Sequence, residues 1–150
     1  MSDPTRAGAD APEPRVVEIQ IPSDIRLIQD VVEEIQRECA GMRFADRHVS
    51  LNLPVALTEA LANAILCGNR DDPAKHVRVR AAMDELSIVI EVSDEGAGFD
   101  LDQCSVDPTT PDRLQLEDGR GLFLMRMLMD NVERYEALQG NVVRMTLHRE

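Results

Sequence analysis

The segment from Glu59 to Gly68 places a carboxylate and an amide four residues apart in a run of good helix formers. Four residues is slightly more than one helical turn, so the Glu59 and Asn63 side chains share one face of the predicted helix. An amide oxygen is a suitable ligand for Mg²⁺, and a carboxylate can act as a general base. A partly buried structural pair has the same spacing, so the pair alone leaves both interpretations open.

A first glycine-rich segment, Asp94-x-Gly96-x-Gly98, comes directly after a predicted strand. Glycines at a strand end permit positive φ angles and let a ligand approach the backbone closely. The Asp94 carboxylate can accept a hydrogen bond from an exocyclic amine, such as that of adenine. A tight turn capped by an aspartate uses the same residue types, so a purely structural role is the alternative.

A second glycine pair, Gly119 and Gly121, flanks Arg120 just before a predicted helix. Free backbone N–H groups at the N-terminus of a helix attract phosphate. A flexible hinge has the same composition, so the pair by itself is weak support for a phosphate site.

The order of these segments along the chain is more informative than any one of them. The polar helix, a strand hairpin, the Asp94 turn, a long loop over residues 100–119 and the glycine-flanked helix would together form one nucleotide pocket. In that pocket Asn63 would hold the metal, and Asp94 would bind the nucleotide base. The second glycine pair would bind the phosphates. The long loop is then a lid that excludes water when it closes.

Composition narrows the class of protein. The chain has 150 residues, which fits one domain, and its net charge of -12 disfavours nucleic acid or an anionic membrane as the main partner. Lys75 is the only lysine, which disfavours a lysine nucleophile. We expect no membrane-spanning segment, no disulfide framework and a cytoplasmic protein. Three widely spaced cysteines are interpreted as small buried hydrophobic residues: Cys39, Cys67 and Cys104.

The predicted elements indicate an α+β fold. Residues 1–14 are predicted to be a disordered leader, and residues 15–150 a single domain. The order β-α-α-β-β-α-β-β implies a two-layer sandwich with helices on one face of a mixed, mostly antiparallel sheet. The predicted bounds are Arg15–Ile21, a helix from Ser23 to Gly41, a connector Ala45–Leu53, a helix from Pro54 to Leu66, a hairpin over Val77–Met83 and Leu86–Val92, a helix opened by Gly119–Gly121, and a hairpin over Val132–Leu138 and Val142–Leu147.

The three segments resemble those of the histidine kinase-like ATPase superfamily, which has the Bergerat ATP-binding fold and includes gyrase, Hsp90, histidine kinases and MutL. Two of them, Glu59–Gly68 and Gly119–Val132, are similar to the anti-sigma-factor serine-protein kinases of the RsbW type, which act in partner-switching systems. The resemblance covers residues 15–149, essentially the whole predicted domain.

The resemblance implies a role for each candidate site residue. Glu59 would be the general base that polarises the acceptor serine hydroxyl, and Asn63 the Mg²⁺ ligand. Asp94 would bind adenine. The other nucleotide-binding residues would be the glycines of the two glycine-containing segments and the arginine between the second two glycines. These residues are Gly96, Gly98, Gly119, Arg120 and Gly121.

The resemblance also implies an activity and partners. The protein would transfer phosphate from ATP, with Mg²⁺, to a serine or threonine of an anti-sigma-factor antagonist of the STAS type. It would also sequester a sigma factor, and it would be a homodimer. Two positions depart from the family pattern: Cys67 stands where histidine is common, and Asn141 where threonine is common before the last strand.

Two alternatives to a kinase stay open on the sequence. One is a non-catalytic ATP-binding module that regulates a target other than a sigma factor. The other is an ATPase domain of the same superfamily that works in a larger assembly. Glu59 favours the kinase over the binding module, because a module that only holds ATP has no need of a carboxylate over the metal.

Overall fold

A computed structural model describes residues 14–42, 44–96, 123–137 and 140–148 of the chain. Five strands form one sheet in the order β1-β2-β3-β5-β4, and every neighbouring pair is antiparallel. The strands are β1 Arg15–Pro22, β2 His76–Met83, β3 Ser87–Ser93, β4 Asn131–Ala137 and β5 Gly140–His148. The predicted α+β class is therefore confirmed, and the described sheet is antiparallel throughout.

Alternation of apolar and polar residues gives each central strand one buried face. In β3, Ile88, Ile90 and Val92 are buried while the residues between them are only half-buried. The β2–β3 turn is closed by Asp84, whose Oδ1 accepts hydrogen bonds from the backbone N of Leu86 at 2.7 Å and of Ser87 at 2.9 Å. This is the behaviour that makes aspartate a frequent turn residue.

The helices cover the buried face of the sheet. A 3₁₀ turn at Ile25–Leu27 leads into α1, Ile28–Ala40. The second helix, α2, spans His48–Gly68, and a short helix, α3, spans residues 123–128. Residues from both layers form one apolar core, which confirms the two-layer arrangement. Its largest fully buried members include Ile35, Leu53, Leu57, Leu61, Ile65, Ile88, Ile90, Met125 and Met145.

Helix α2 begins earlier than the sequence predicts. The segment expected to be a connector up to Leu53 is already helical from His48. The first turn, His48–Asn52, is a π-helix, and the regular α-helix follows at Leu53–Ala62. Pro54 has no amide hydrogen for a regular α-helical bond, and the wider turn immediately before it accommodates that missing bond.

No membrane-spanning segment was expected, but by length and composition alone one described helix could cross a membrane. Helix α2, with 21 residues, is long and apolar enough to do so. The core helix of a soluble protein passes the same test. Here Leu53, Leu57 and Leu61 are each 0% exposed inside the fold, so the apolar side of α2 is used in packing.

The other face of the sheet carries a row of alternating charges, one from each strand. The register aligns Glu18 with Arg80, Arg80 with Glu91, and both Glu91 and Glu133 with Arg144. Arg144 is 2.8 Å from Glu91 and 3.6 Å from Glu133, and Arg80 is 3.4 Å from Glu18. A cavity of about 510 Å³ lies over β1, β2 and β3 on this face.

Candidate functional site

Glu59 and Asn63 lie on α2, as the sequence predicts. Both side chains are half-buried, and the backbone N of Asn63 donates to the carbonyl oxygen of Glu59. Glu59 makes no hydrogen bond or ion pair with another described side chain. The Nδ2 of Asn63 is buried and has no hydrogen-bond partner. Buried amides are normally satisfied, so this donor is one that a water or a ligand oxygen could pair with.

Helix α2 ends in a second wide turn, which delivers its C-terminus to Asp94. Residues Asn63–Gly68 are π-helical, a local geometry that is common at functional sites. Gly68 is buried against Asp94, and a Cβ at this position would overlap the Asp94 carboxylate. The structure therefore brings the helix of Glu59 and Asn63 directly to the turn of Asp94.

Two further glycines surround the same aspartate. A Cβ at Gly96 would overlap the carbonyl oxygen of Gly68, and a Cβ at Gly140 would overlap the carbonyl oxygen of Asp94. Gly140 also has a φ of 158°, at the edge of the region that favours glycine. Gly96 lies beside Asp94, and its role in binding the nucleotide stays a prediction.

Hydrogen bonds fix the orientation of the Asp94 carboxylate, which is buried. Its Oδ1 accepts from the backbone N of Gly96 at 2.8 Å, from the backbone N of Asn141 at 3.1 Å and from the Nδ2 of Asn141 at 3.3 Å. The backbone N of Asp94 donates to the carbonyl oxygen of Asn141 at 2.9 Å. Asn141, a departure from the family pattern, is thus a direct partner of the predicted base-binding residue.

The side chain of Asn69 holds the Asp94 turn through hydrogen bonds. The sequence did not predict this role. Asn69 is fully buried, and its Nδ2 donates to the Oγ of Ser23 at 2.9 Å and to the carbonyl oxygen of His76 at 3.0 Å. Its Oδ1 accepts from the backbone N of Glu95 at 2.7 Å. Asn69 therefore ties the end of α2 to β2 and to the Asp94 turn. An asparagine next to a glycine at a helix end was the only available sequence signal.

The remaining predicted site residues cannot be placed. Gly98, Gly119, Arg120 and Gly121 lie outside the described residues. The predicted lid over residues 100–119 and the predicted leader of residues 1–14, except for Pro14, also lie outside them.

The prediction for the cysteines is confirmed for one residue and wrong for another. Cys39 is a buried free thiol, as expected for a small hydrophobic residue. Cys67 is half-buried and disulfide-bonded. The position where the family commonly has histidine therefore holds a cross-linked residue rather than a packing thiol.

Comparison with known proteins identifies the family. The sequence profile described as "Histidine kinase-like ATPase domain" matches residues 21–147. The chain belongs to the histidine kinase-like ATPase domain family. The match includes Glu59, Asn63 and Asp94.

Curated relatives of this histidine kinase-like ATPase domain are consistent with the narrower resemblance. The chain is 39% identical over 101 residues to "Serine-protein kinase RsbW" of Bacillus subtilis, which is 63% of this chain and 62% of the relative. It is 33% identical over 85 residues to "Anti-sigma F factor" of Clostridium perfringens, which is 56% of this chain and 61% of the relative. The resemblance to the RsbW-type kinases is thereby confirmed. Each match spans about three-fifths of the relative's length.

A solved structure shows the same fold. The structure described as the RsbU and RsbW domains of a Mycobacterium tuberculosis protein superimposes with a TM-score of 0.64, covering 89% of this chain and 32% of that one. The sequence identity is 16%, so this likeness concerns the fold alone.

The residues of this ATPase domain fit a nucleotide with Mg²⁺. The orphan amide of Asn63 can offer its oxygen to the cation once it is oriented by a ligand. No group of three or more potential ligands occurs among the described His, Cys, Asp and Glu residues. One protein ligand is enough for Mg²⁺ that is otherwise held by phosphates and water.

Proposed function

We propose that the chain is an ATP-dependent protein serine kinase of a partner-switching system. The contact between α2 and the Asp94 turn supports this proposal most, because the helix that carries Asn63, our proposed metal ligand, lies against Asp94, our proposed binder of the nucleotide base. The name "Serine-protein kinase RsbW" of a relative supports the same activity. The predicted binding of phosphates by Gly119, Arg120 and Gly121, and of the nucleotide by Gly98, is part of the proposal.

The chemistry assigned to this chain is a phosphoryl transfer. Glu59 accepts the proton of the acceptor serine hydroxyl as the serine oxygen bonds to the γ-phosphorus of ATP. The bond from that phosphorus to the bridging oxygen breaks, and ADP leaves. Mg²⁺, when bound through Asn63, neutralises charge on the phosphates. Asp94 binds the base and orients the nucleotide without taking part in proton transfer.

The acceptor and the regulated target follow from the same family relation. We propose that the acceptor is a serine of a STAS-type anti-sigma-factor antagonist and that the chain sequesters a sigma factor. The name "Anti-sigma F factor" of a second relative supports the latter. We further propose that the protein is a cytoplasmic homodimer that binds neither nucleic acid nor membrane, and that residues 15–150 form its single domain.

The test of kinase activity uses γ-labelled ATP, Mg²⁺ and purified candidate antagonists. Wild type should yield phosphoserine, and Glu59→Gln should lose at least about 100-fold in transfer rate while ATP affinity changes little. Glu34→Gln is a matched control, because Glu34 is also a half-buried glutamate but lies on α1. Absence of phosphoserine with wild type across the antagonists, while ATP still binds, would favour the non-catalytic binding module.

A further inference from the structure

The backbone and the side chain of Asn141 both donate hydrogen bonds to one oxygen of Asp94. Both residues are buried, with exposures of 5% and 7%. With the backbone N of Gly96, the two Asn141 donors bring three N–H groups to Asp94 Oδ1 within 3.3 Å. A carboxylate oxygen has about two lone-pair sites, so this oxygen has no remaining capacity to accept.

The second oxygen of Asp94 is left for another partner. Oδ2 accepts no hydrogen bond from a described residue, and it lies where Gly68 has no Cβ. Rotation of the carboxylate away from this orientation would weaken its bonds to the backbone N and Nδ2 of Asn141. The carboxylate therefore presents one fixed acceptor.

The amide of Asn141 differs physically from the hydroxyl that is common at this position. A hydroxyl changes between donor and acceptor by rotating its hydrogen alone, whereas an amide must turn the whole side-chain group to exchange Nδ2 for Oδ1. In the observed orientation Nδ2 faces Asp94 Oδ1 at 3.3 Å, and only an acceptor matches this contact. Asn141 thus selects one orientation of the carboxylate and one direction for its remaining lone pairs.

We propose that Asn141 is a specificity-determining positioning residue, which holds Asp94 so that Oδ2 selects a purine with a 6-amino group. An amino group can donate to Oδ2, whereas a 6-oxo group would place an acceptor against an acceptor. The inference rests on the proposed function, since it takes Asp94 to be the residue that binds the base. It adds the residue that sets the choice between 6-amino and 6-oxo purines.

The test compares ATP with ITP, which carries an oxo group in place of the 6-amino group. Dissociation constants for both nucleotides are measured with Mg²⁺ by calorimetry. Wild type should prefer ATP. In Asn141→Leu, affinity for ATP should fall about tenfold while affinity for ITP changes little, because one hydrogen bond to a charged group is lost. The ratio of the two constants should therefore shrink.

Two variants separate this role from a general effect on folding. Asn131→Leu makes the same chemical change on the exposed side of β4 and should keep the wild-type ratio. Asn141→Thr restores a donor and should recover most of the ATP preference. If Asn141→Leu does not fold, Asn141→Ala provides the same comparison with less added bulk.

The possible failures are distinguishable. A wild-type ATP-to-ITP ratio in folded Asn141→Leu or Asn141→Ala would overturn the role of Asn141. If Asp94→Asn also binds ATP like wild type, the assignment of the base to Asp94 fails, and the proposed pocket fails with it. If Asp94→Asn loses ATP while the Asn141 variants keep the ratio, only the specificity role is lost.

Discussion

At the scale of single residues, Gly68 determines how closely α2 can approach the Asp94 turn. A Cβ at Gly68 would overlap the carboxylate of Asp94, which is itself held by Gly96 and Asn141. We expect Gly68→Ala to destabilise the protein by about 1–3 kcal/mol, because the overlapped atoms belong to a fixed side chain. ATP affinity should also fall, since the carboxylate must move. Urea unfolding and calorimetric titration measure the two effects.

Gly41 provides the matched control for that substitution. It also follows a helix, α1, but its φ is -85° and a Cβ there would meet nothing within 4 Å. Gly41→Ala should therefore leave both stability and ATP affinity close to wild type. Equal effects at Gly41 and Gly68 would contradict the close approach to Asp94 as the cause.

Because of the Cys39 thiol, the free energy of unfolding should depend on pH in the alkaline range. Burial, with a smaller contribution from nearby Glu38, raises the pKa of the Cys39 thiol from 9.0 to about 12. The native thiol therefore stays protonated between these values while the unfolded thiol ionises. The stabilisation is complete below pH 9.0 and is lost as pH rises towards about 12, because the native state then binds more protons than the unfolded state.

The measurement compares wild type with Cys39→Ala. Over one pH unit within that window, wild type should lose about 1.4 kcal/mol more unfolding free energy than the variant. All other ionisable groups are common to the two proteins, so their contributions cancel in the difference. Parallel pH profiles of the two proteins would show that the native Cys39 thiol ionises as easily as an exposed one.

At the scale of elements, Asn52 connects α2 to the end of α3. Its Nδ2 donates to the carbonyl oxygen of Leu128 at 2.7 Å, across 76 residues of sequence. The last carbonyls of a helix have no partner within the helix, so this bond satisfies one of them. Asn52→Ala should cost about 1–2 kcal/mol of unfolding free energy and should speed amide hydrogen exchange in residues 123–128.

Ser50 is the control for Asn52, because it lies in the same wide turn. Its Oγ donates to the carbonyl oxygen of Asp46 at 2.7 Å, which is a local and exposed bond. Ser50→Ala should therefore change stability by less than about 0.5 kcal/mol and leave exchange in residues 123–128 unaffected. Faster exchange in both variants would indicate general fraying of α2 instead of a specific tie to α3.

At the scale of the whole molecule, the net charge of -12 opposes compaction. Repulsion among exposed carboxylates is screened by salt, and so are attractions within the charge row of the open sheet face. Because acidic residues number 28 against 16 basic ones, we expect repulsion to dominate. The unfolding temperature should then rise between about 0.02 M and about 0.2 M NaCl, where screening changes most. A fall would show that the charge row outweighs the overall repulsion.

Local sequence information determined much of this protein. The spacing of Glu59 and Asn63 placed both on one helix face, and alternation in β2 and β3 predicted a hairpin closed at Asp84. Met125 and Met129 lie four residues apart, which is the spacing of one helix face, and they are 0% and 4% exposed. These features depend on helical and strand periodicity, which is a property of neighbouring residues.

Tertiary structure alone decided which residues surround Asp94. Gly68 and Asn141 reach it from positions 26 residues before and 47 residues after it in the chain, and no local pattern relates such distant positions. From the sequence, Asn141 was only the absence of a common hydroxyl, whereas in the structure its side chain donates a hydrogen bond to Asp94. Cys67 was predicted to be a packing thiol, but it is disulfide-bonded. Contacts of this kind arise only when helix and sheet pack, because packing sets which backbone groups come within bonding distance.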